Sequence, residues 1–304
     1  MALQIEKSRF GDVEVTQIVE QSIASLMGLL LPDATPEAVA EIAWLKPPHR
    51  TASFELDAVS QCFVIRKGER LFVVDTCVGN EKNISAFAML ADLQLPFLES
   101  LEAAGIDRMA VTDVLCTHLH FDHVGWNTYK QDGVWHPTFP NAKYHFAREE
   151  YEYWQAHERE NMASAADTLD AVQGFSFAES IDPVVEAGLV NLIETDADLG
   201  DGFSVIPTPG HSPAHICLVI EAGETKLMLA GDVMHHPCQI ARPHWASVSD
   251  YSSEGSTATR RKLFAELAGT DVLMAGTHFS IPSFGTVSKD DAGEFVFSVP
   301  STGN

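Results

Sequence analysis

Apolar and polar positions alternate over Val13 to Val19, and a β-rich apolar run covers Gln61 to Ile65, so both segments predict strands. Leu71 to Val74 follows the second run across a Lys67-Gly68-Glu69 turn, which predicts a hairpin ending at Asp75. The period then changes. Phe97, Leu98, Leu101 and Ala104 recur at helical spacing, and after Gly105 the run Val111 to Leu115 predicts a buried strand. The middle third is helical in pattern over Arg148 to Met162, Ala165 to Gln173 and Ile181 to Ala187. Strand signals return at Phe203 to Ile206, Ile216 to Ile220 and Lys226 to Leu229, the last two joined through Glu221-Ala222-Gly223-Glu224. A helix at Thr259 to Leu267 then precedes a strand at Val272 to Met274.

Two batches of strands, each accompanied by helices, predict an α/β architecture with covered sheets. No internal repeat, low-complexity tract or Gly/Ser/Pro linker interrupts the 304 residues, so one domain over 1–304 is expected. It carries an N-terminal extension over about 20–50 and a helical insertion over about 148–187 that is expected to lie above the site. The apolar, proline-punctuated stretch Leu26 to Pro48 is read as a cap, a homodimer contact, or ordinary packing against the body. The tail from about Ser298 is expected to fray.

Composition narrows the function. No apolar run approaches the roughly 20 residues that a membrane span needs. The formal net charge of −24 repels phosphate backbones and anionic lipid, so nucleic-acid and membrane partners are not expected. The first residues lack the basic head, apolar stretch and cleavage site of an exported precursor, which makes the cytoplasm the expected compartment. Five cysteines, Cys62, Cys77, Cys116, Cys217 and Cys238, show no CxxC spacing and read as small buried hydrophobes.

The candidate chemistry is histidine and aspartate. Of thirteen histidines, three fall in Thr117-His118-Leu119-His120-Phe121-Asp122-His123, directly after the strand ending near Cys116. In an extended segment His118, His120 and Asp122 share one face, whereas His123 breaks the parity and suits a second, adjacent ion. Imidazole and carboxylate are the ligands that zinc takes when one position is kept for water. Further donors stand at strand ends or turns beside Gly or Pro: His211 in Thr208-Pro209-Gly210-His211-Ser212-Pro213, Asp232 in Ala230-Gly231-Asp232, and His278 in Ala275-Gly276-Thr277-His278. Taken singly, such a residue is as often an ordinary hydrogen-bonding side chain; the HxHxDH cluster is what promotes the set. Five histidines and two aspartates suffice for two metals, with one carboxylate bridging.

These residues resemble the five motifs of the metallo-β-lactamase superfamily, which can be followed from Asp75 to His278. The resemblance implies an αβ/βα four-layer sandwich with two sheets face to face. It implies two Zn2+, other divalent ions being compatible, with His118, His120 and His211 on the first ion and Asp122, His123 and His278 on the second. Asp232 would bridge, and Asp75 would support the ligands from behind. The interval before His211 (211 − 123 = 88), the steps to Asp232 (21) and His278 (46), and the strings Asp122 to Thr128 and Gly231 to His236 resemble the lactonase and methyl-parathion-hydrolase branch. The implied function is a dinuclear-zinc hydrolase that attacks a lactone or other carboxylic ester with a metal-bridging hydroxide, Asp122 orienting the water. Many acyl-homoserine lactonases have tyrosine three residues after the bridging aspartate; here His235 stands there, as a hydrogen-bond or proton donor or as a polar residue on the pocket rim. Phe121, Trp126, Phe279 and the His244-Trp245 pair are read as a pocket for an acyl or aryl group, or as core aromatics.

The rival readings are a phosphotriester hydrolase, a thiolester hydrolase of the glyoxalase II kind, or a β-lactamase, all on the same fold. A redox diiron protein usually has glutamate where His120 stands and an added flavin-binding domain, neither of which is present. A nuclease is disfavoured by the acidity.

Overall fold

A computed structural model describes residues 2–84, 86–164 and 168–300. The expected start of a helix at Ala165, with Ala166 and Asp167, and the end of the tail, 301–304, lie outside the described residues. The chain divides into two compact units, Met1–Gln21 with Ser60–Glu194, and Ser22–Val59 with Thr195–Asn304.

The first unit is built on strands β1 (Gln4–Phe10), β2 (Val13–Ser22), β3 (Val59–Lys67), β4 (Arg70–Val74) and β5 (Asp113–Leu115), a side hairpin β6 (Thr128–Gln131) and β7 (Val134–Pro137), and strands β8 (Lys143–Ala147) and β9 (Val190–Ile193). Seven of them form one sheet in the order β1-β2-β3-β4-β5-β8-β9. The β3-β4 hairpin forms at the expected turn, with Lys67 opposite Arg70. From β4 onward the pairing is parallel. Parallel strands are covered on both faces, which is why β5 and most of β8 are buried residue after residue and show no alternation. The helix Phe97–Ala103 buries Phe97 and Leu101 in a core with Val73, Val114 and Trp126. The helix Arg148–Met162 joins the same core through Tyr151, whose ring lies 5.7 Å from that of Phe177.

The second unit carries a five-stranded sheet of β10 (Asp198–Gly200), β11 (Phe203–Pro207), β12 (Ile216–Ala222), β13 (Thr225–Leu229) and β14 (Leu273–Ala275), in that order, with a hairpin of β15 (Thr286–Lys289) and β16 (Phe295–Ser298). The first four run antiparallel, and β14 joins β13 in parallel. The helix Ser253–Leu267 is longer than its apolar pattern predicts, because Ser252 caps it by accepting the N–H of Gly255 and starts it a turn and a half early. It buries Leu263, Phe264 and Leu267 against Met228 and Met274. The Leu26 to Pro48 stretch packs within its own unit: Met27, Leu31, Val39 and Leu45 share a core with Ala241 and Trp245. No described helix is long and apolar enough to cross a membrane.

Candidate metal centre

In the first unit, β4 and β5 lie side by side and parallel, so their C-terminal ends coincide, and Asp75 N–H donates to Leu115 O at 3.0 Å. Asp75 takes a left-handed backbone (φ 50°), which an aspartate tolerates better than most residues and which turns its carboxylate toward the chain leaving β5. That carboxylate accepts the backbone N–H of Thr117 at 2.8 Å and the Thr117 hydroxyl at 3.0 Å. It also stands 2.9 Å from Nδ1 of His123. A carboxylate only accepts, so the proton shared with Asp75 belongs to Nδ1 of His123, and Nε2 is turned to the other side of the ring. That Nε2 lies 3.9 Å from Oδ2 of Asp122.

The expectation that His118, His120 and Asp122 lie along one extended segment is corrected. The chain is extended only as far as His120 (ψ 155°); a short helix, Phe121–Val124, follows, and His123 N–H donates to His120 O at 3.0 Å. A helical turn therefore places Asp122 and His123, and the rings of His118 and His123 approach to 4.1 Å, those of His118 and His120 to 4.5 Å. The turn is held from two sides. Gly125 lies so close to the backbone at Val78 that a Cβ there would come within 1.8 Å of the Val78 carbonyl oxygen. The helical middle third packs behind the motif: Glu150 accepts Leu119 N–H and Trp154 Nε1–H, Gln173 donates to Leu119 O, and the Trp154 ring meets His120 edge-on at 5.5 Å. Buried Glu20 accepts from Val78 N, Gly79 N, Trp126 Nε1 and Ser60 Oγ. Burial raises its carboxyl above the ordinary carboxylate value, opposed by those bonds.

In the second unit the parallel pair β13 and β14 again brings two strand ends together, with Ala230 N–H on Ala275 O at 2.8 Å. The loops beyond them carry Asp232 and His278, and the loop after β11 carries His211. Asp232 Oδ2 is the focus: Nε2 of His211 lies at 3.5 Å, Nε2 of His235 at 3.3 Å and Nε2 of His278 at 3.3 Å. His211 is anchored behind by Asp250, whose Oδ1 is 3.0 Å from Nδ1, and His278 by the Val59 carbonyl at 3.0 Å from its Nδ1. Both partners are acceptors, so each ring carries a proton on Nδ1 and turns Nε2 toward a carboxylate oxygen. Ring nitrogens grouped about a buried carboxylate at such distances suit a positive charge among them, and the donor set of imidazole and carboxylate is that of a borderline divalent metal. The chain thus fits a metal in this unit on its own geometry, and His211, Asp232 and His235 hold ligand atoms within 4.8 Å of one another.

Two residues here fall outside the motifs read from the sequence. His215, fully buried, accepts Asp232 N–H on Nε2 at 3.0 Å while its Nδ1 meets Thr208 Oγ1 at 2.8 Å, so it fixes the backbone of Asp232. Its position four after His211 is the one signal that pointed to it. Asp250 had none. Asp250 is opposed by burial, which raises it, but the His211 bond and the charges of His211, His235 and Arg260 leave its carboxyl below the ordinary value.

His235 is only 2% exposed, so the rim reading is corrected. Burial drives its pKa down to about 3, with Asp232 working the other way, and the ring is neutral at ordinary pH. The expected apolar pocket is also corrected in part: Trp126 stacks on Phe97 at 4.7 Å, Phe279 is fully buried against Phe297, and Trp245 lies in a core cluster. Phe121, stacked on Phe87 at 5.8 Å, is half-buried.

Against known proteins, the family model of the Metallo-beta-lactamase superfamily matches residues 57–274. An N-acyl homoserine lactonase of Bacillus cereus is 30% identical over 116 residues, 38% of this chain; the match spans only 35% of that protein's own length. Among solved structures, the chain is similar to AidC, a dizinc quorum-quenching lactonase in complex with a product, N-hexanoyl-L-homoserine (25% identity, TM-score 0.75, 99% of each chain). It is also similar in fold to the hydrolase AbOPH of the beta lactamase superfamily (22% identity, TM-score 0.78, 100% of this chain and 99% of that one).

Proposed function

The chain belongs to the metallo-β-lactamase superfamily, and on that premise we propose that it is a dinuclear-zinc hydrolase that opens a lactone or a related carboxylic ester. In this reading His118, His120 and His211 would hold one ion and Asp122, His123 and His278 the other, with Asp232 available to both. The observation that carries this reading is the convergence of three imidazole Nε2 atoms on Asp232 Oδ2 at 3.3–3.5 Å, two of those rings being pinned from behind by acceptors. The first unit supports it with the matching device, Asp75 behind His123.

Two divalent ions, when bound, bring down the pKa of a shared water and draw electron density from the substrate carbonyl. The side chains do the rest. The Asp122 carboxylate would accept a hydrogen bond from the O–H of the attacking water and so orient it. Asp75 and Thr117 keep His123 and His118 from turning, since Thr117 Oγ1 lies 3.2 Å from Nδ1 of His118 while donating to Asp75. His235, neutral and buried, offers one N–H, and its role is a hydrogen bond to an oxygen that gains charge, not a store of protons.

The lactone is chosen because the lactonases above include one that is 25% identical over 99% of each chain. The test is metal analysis of the purified protein beside a panel of lactone, aryl ester, thiolester, phosphotriester and β-lactam. Two equivalents of metal and fastest turnover of the lactone or ester support the reading. A protein with no stoichiometric metal, or one that turns over only the other three classes, overturns it.

A further inference from the structure

Among the groups that touch the Asp232 cluster, Asp250 belongs to no motif. Its Oδ1 takes Nδ1 of His211 at 3.0 Å, and its Oδ2 accepts the backbone N–H of Ser247 at 3.1 Å and lies 3.6 Å from Nη1 of Arg260. Both charged side chains are 0% exposed. A buried ion pair is a poor source of stability compared with well-packed apolar residues, so its presence calls for a positional reason. Arg260 supplies one: beyond Asp250 it donates to the carbonyl oxygens of Pro243 at 2.8 Å and Val233 at 3.1 Å, and to the Ser256 hydroxyl. One guanidinium therefore grips both the residue after Asp232 and the carboxylate behind His211. The backbone makes the same link, with Tyr251 N–H on His211 O and Ser252 N–H on Gly210 O, each at 2.9 Å. Gly210 has φ 135°, and a Cβ on it would meet Ser256 N at 2.4 Å, so the loop carrying His211 is pressed against the helix that carries Arg260.

We infer that Asp250, gripped by Arg260, is the positioning residue that fixes His211 as its Nδ1–H tautomer and aims Nε2 at the metal. The inference rests on the proposed reading of His211 as a ligand. An imidazole without an acceptor behind it can flip or carry its proton on Nε2, and a protonated Nε2 cannot ligate. The Asp250–Arg260 pair removes both alternatives before any ion arrives.

The experiment uses the full chain, 15N-labelled at histidine. Long-range proton–nitrogen correlation of the metal-free wild type at neutral pH is expected to show His211 protonated on Nδ1. Asp250→Asn is expected to add an Nε2–H population and to weaken zinc binding, measured by chelator competition, about 10- to 100-fold with unchanged far-ultraviolet dichroism. Asp250→Glu, which keeps the acceptor, is expected to recover part of that loss. An Nε2–H tautomer in the wild type overturns the inference, and that measurement decides the matter even where Asp250→Asn fails to fold. A folded Asp250→Asn that binds zinc as the wild type does also overturns it and leaves the metal centre intact; a wild type that takes up no zinc overturns the metal centre itself.

Discussion

His278 and Asp232 meet in a buried place: Nε2 of the ring lies 3.3 Å from Oδ2 of the carboxylate, while Nδ1–H of the same ring donates a hydrogen bond to the Val59 carbonyl. Two electron-rich atoms held so close in a buried place repel unless a cation or a proton sits with them, since charges in a low dielectric are felt at several times their strength in water. The consequences can be measured.

Removing bound metal with a strong chelator should lower the melting temperature as well as abolish hydrolysis, because an ion that binds only the folded chain stabilises it by mass action. Zinc should restore both. Scanning calorimetry before and after chelation checks this, and an unchanged melting temperature would argue against ions at Asp232.

His278→Ala removes one of the inward-facing imidazoles and should reduce hydrolysis by more than about 100-fold, with fewer than two metals per chain. Asp232→Asn should act at least as strongly, since three rings face that one oxygen. Metal content read beside rate separates loss of the ion from loss of the fold.

Asp75→Asn keeps a side chain that tolerates φ 50° and should weaken metal binding by about 10- to 100-fold. Asp75→Ala should add a loss of about 1–3 kcal/mol in stability, from the strained backbone and the unanswered Thr117 N–H. Urea unfolding of the two variants should therefore differ, and equal midpoints would remove the backbone argument.

Acid should unfold the protein through a buried pair of histidines, His236 and His49. His236 Nε2 donates to His49 O at 2.6 Å and its Nδ1 accepts Cys238 N–H at 3.0 Å, so the neutral ring is fully bonded. Burial lowers His236 to about 3 and His49 to about 4, from an ordinary 6.5. Between these values the unfolded chain binds protons that the folded chain refuses, so stability is whole above about pH 6.5 and falls as the pH drops toward 3–4. Each ring costs up to about 1.4 kcal/mol per pH unit in that window. Denaturation midpoints of His236→Gln against pH should fall less steeply than those of the wild type.

Gly125→Ala should destabilise by about 2–4 kcal/mol although its backbone lies in the ordinary helical region (φ −57°), because the Cβ would sit 1.8 Å from the Val78 carbonyl oxygen. A fully stable Gly125→Ala would show that the two segments can part.

Local signals carried much of the fold. The β3-β4 hairpin and the helix Arg148–Met162 were legible because turn chemistry and period agree there. The β6-β7 hairpin was also legible in principle: Asp132 and Gly133 form its two-residue loop with φ 53° and 80°, the conformation that Asp-Gly favours. Strand β8 was not, since a strand buried on both faces and paired on both edges has no period to show. The helical turn at Phe121–Val124 was hidden by the same dense motif that drew attention to it, because four residues are too few to display a helical repeat.

What the sequence determined by itself is the inventory: five histidines and two aspartates at spacings that match one superfamily, with glycines and prolines at the turns that carry them. Only the tertiary structure decided how those groups are held. The acceptor behind His211 comes from 39 residues away and the one behind His278 from 219, and each fixes which ring nitrogen keeps its proton. A spacing pattern reports which side chains are available within a few residues. The tautomer of a ligand is set by whatever the fold brings to its far side, and that partner leaves no mark on the local pattern.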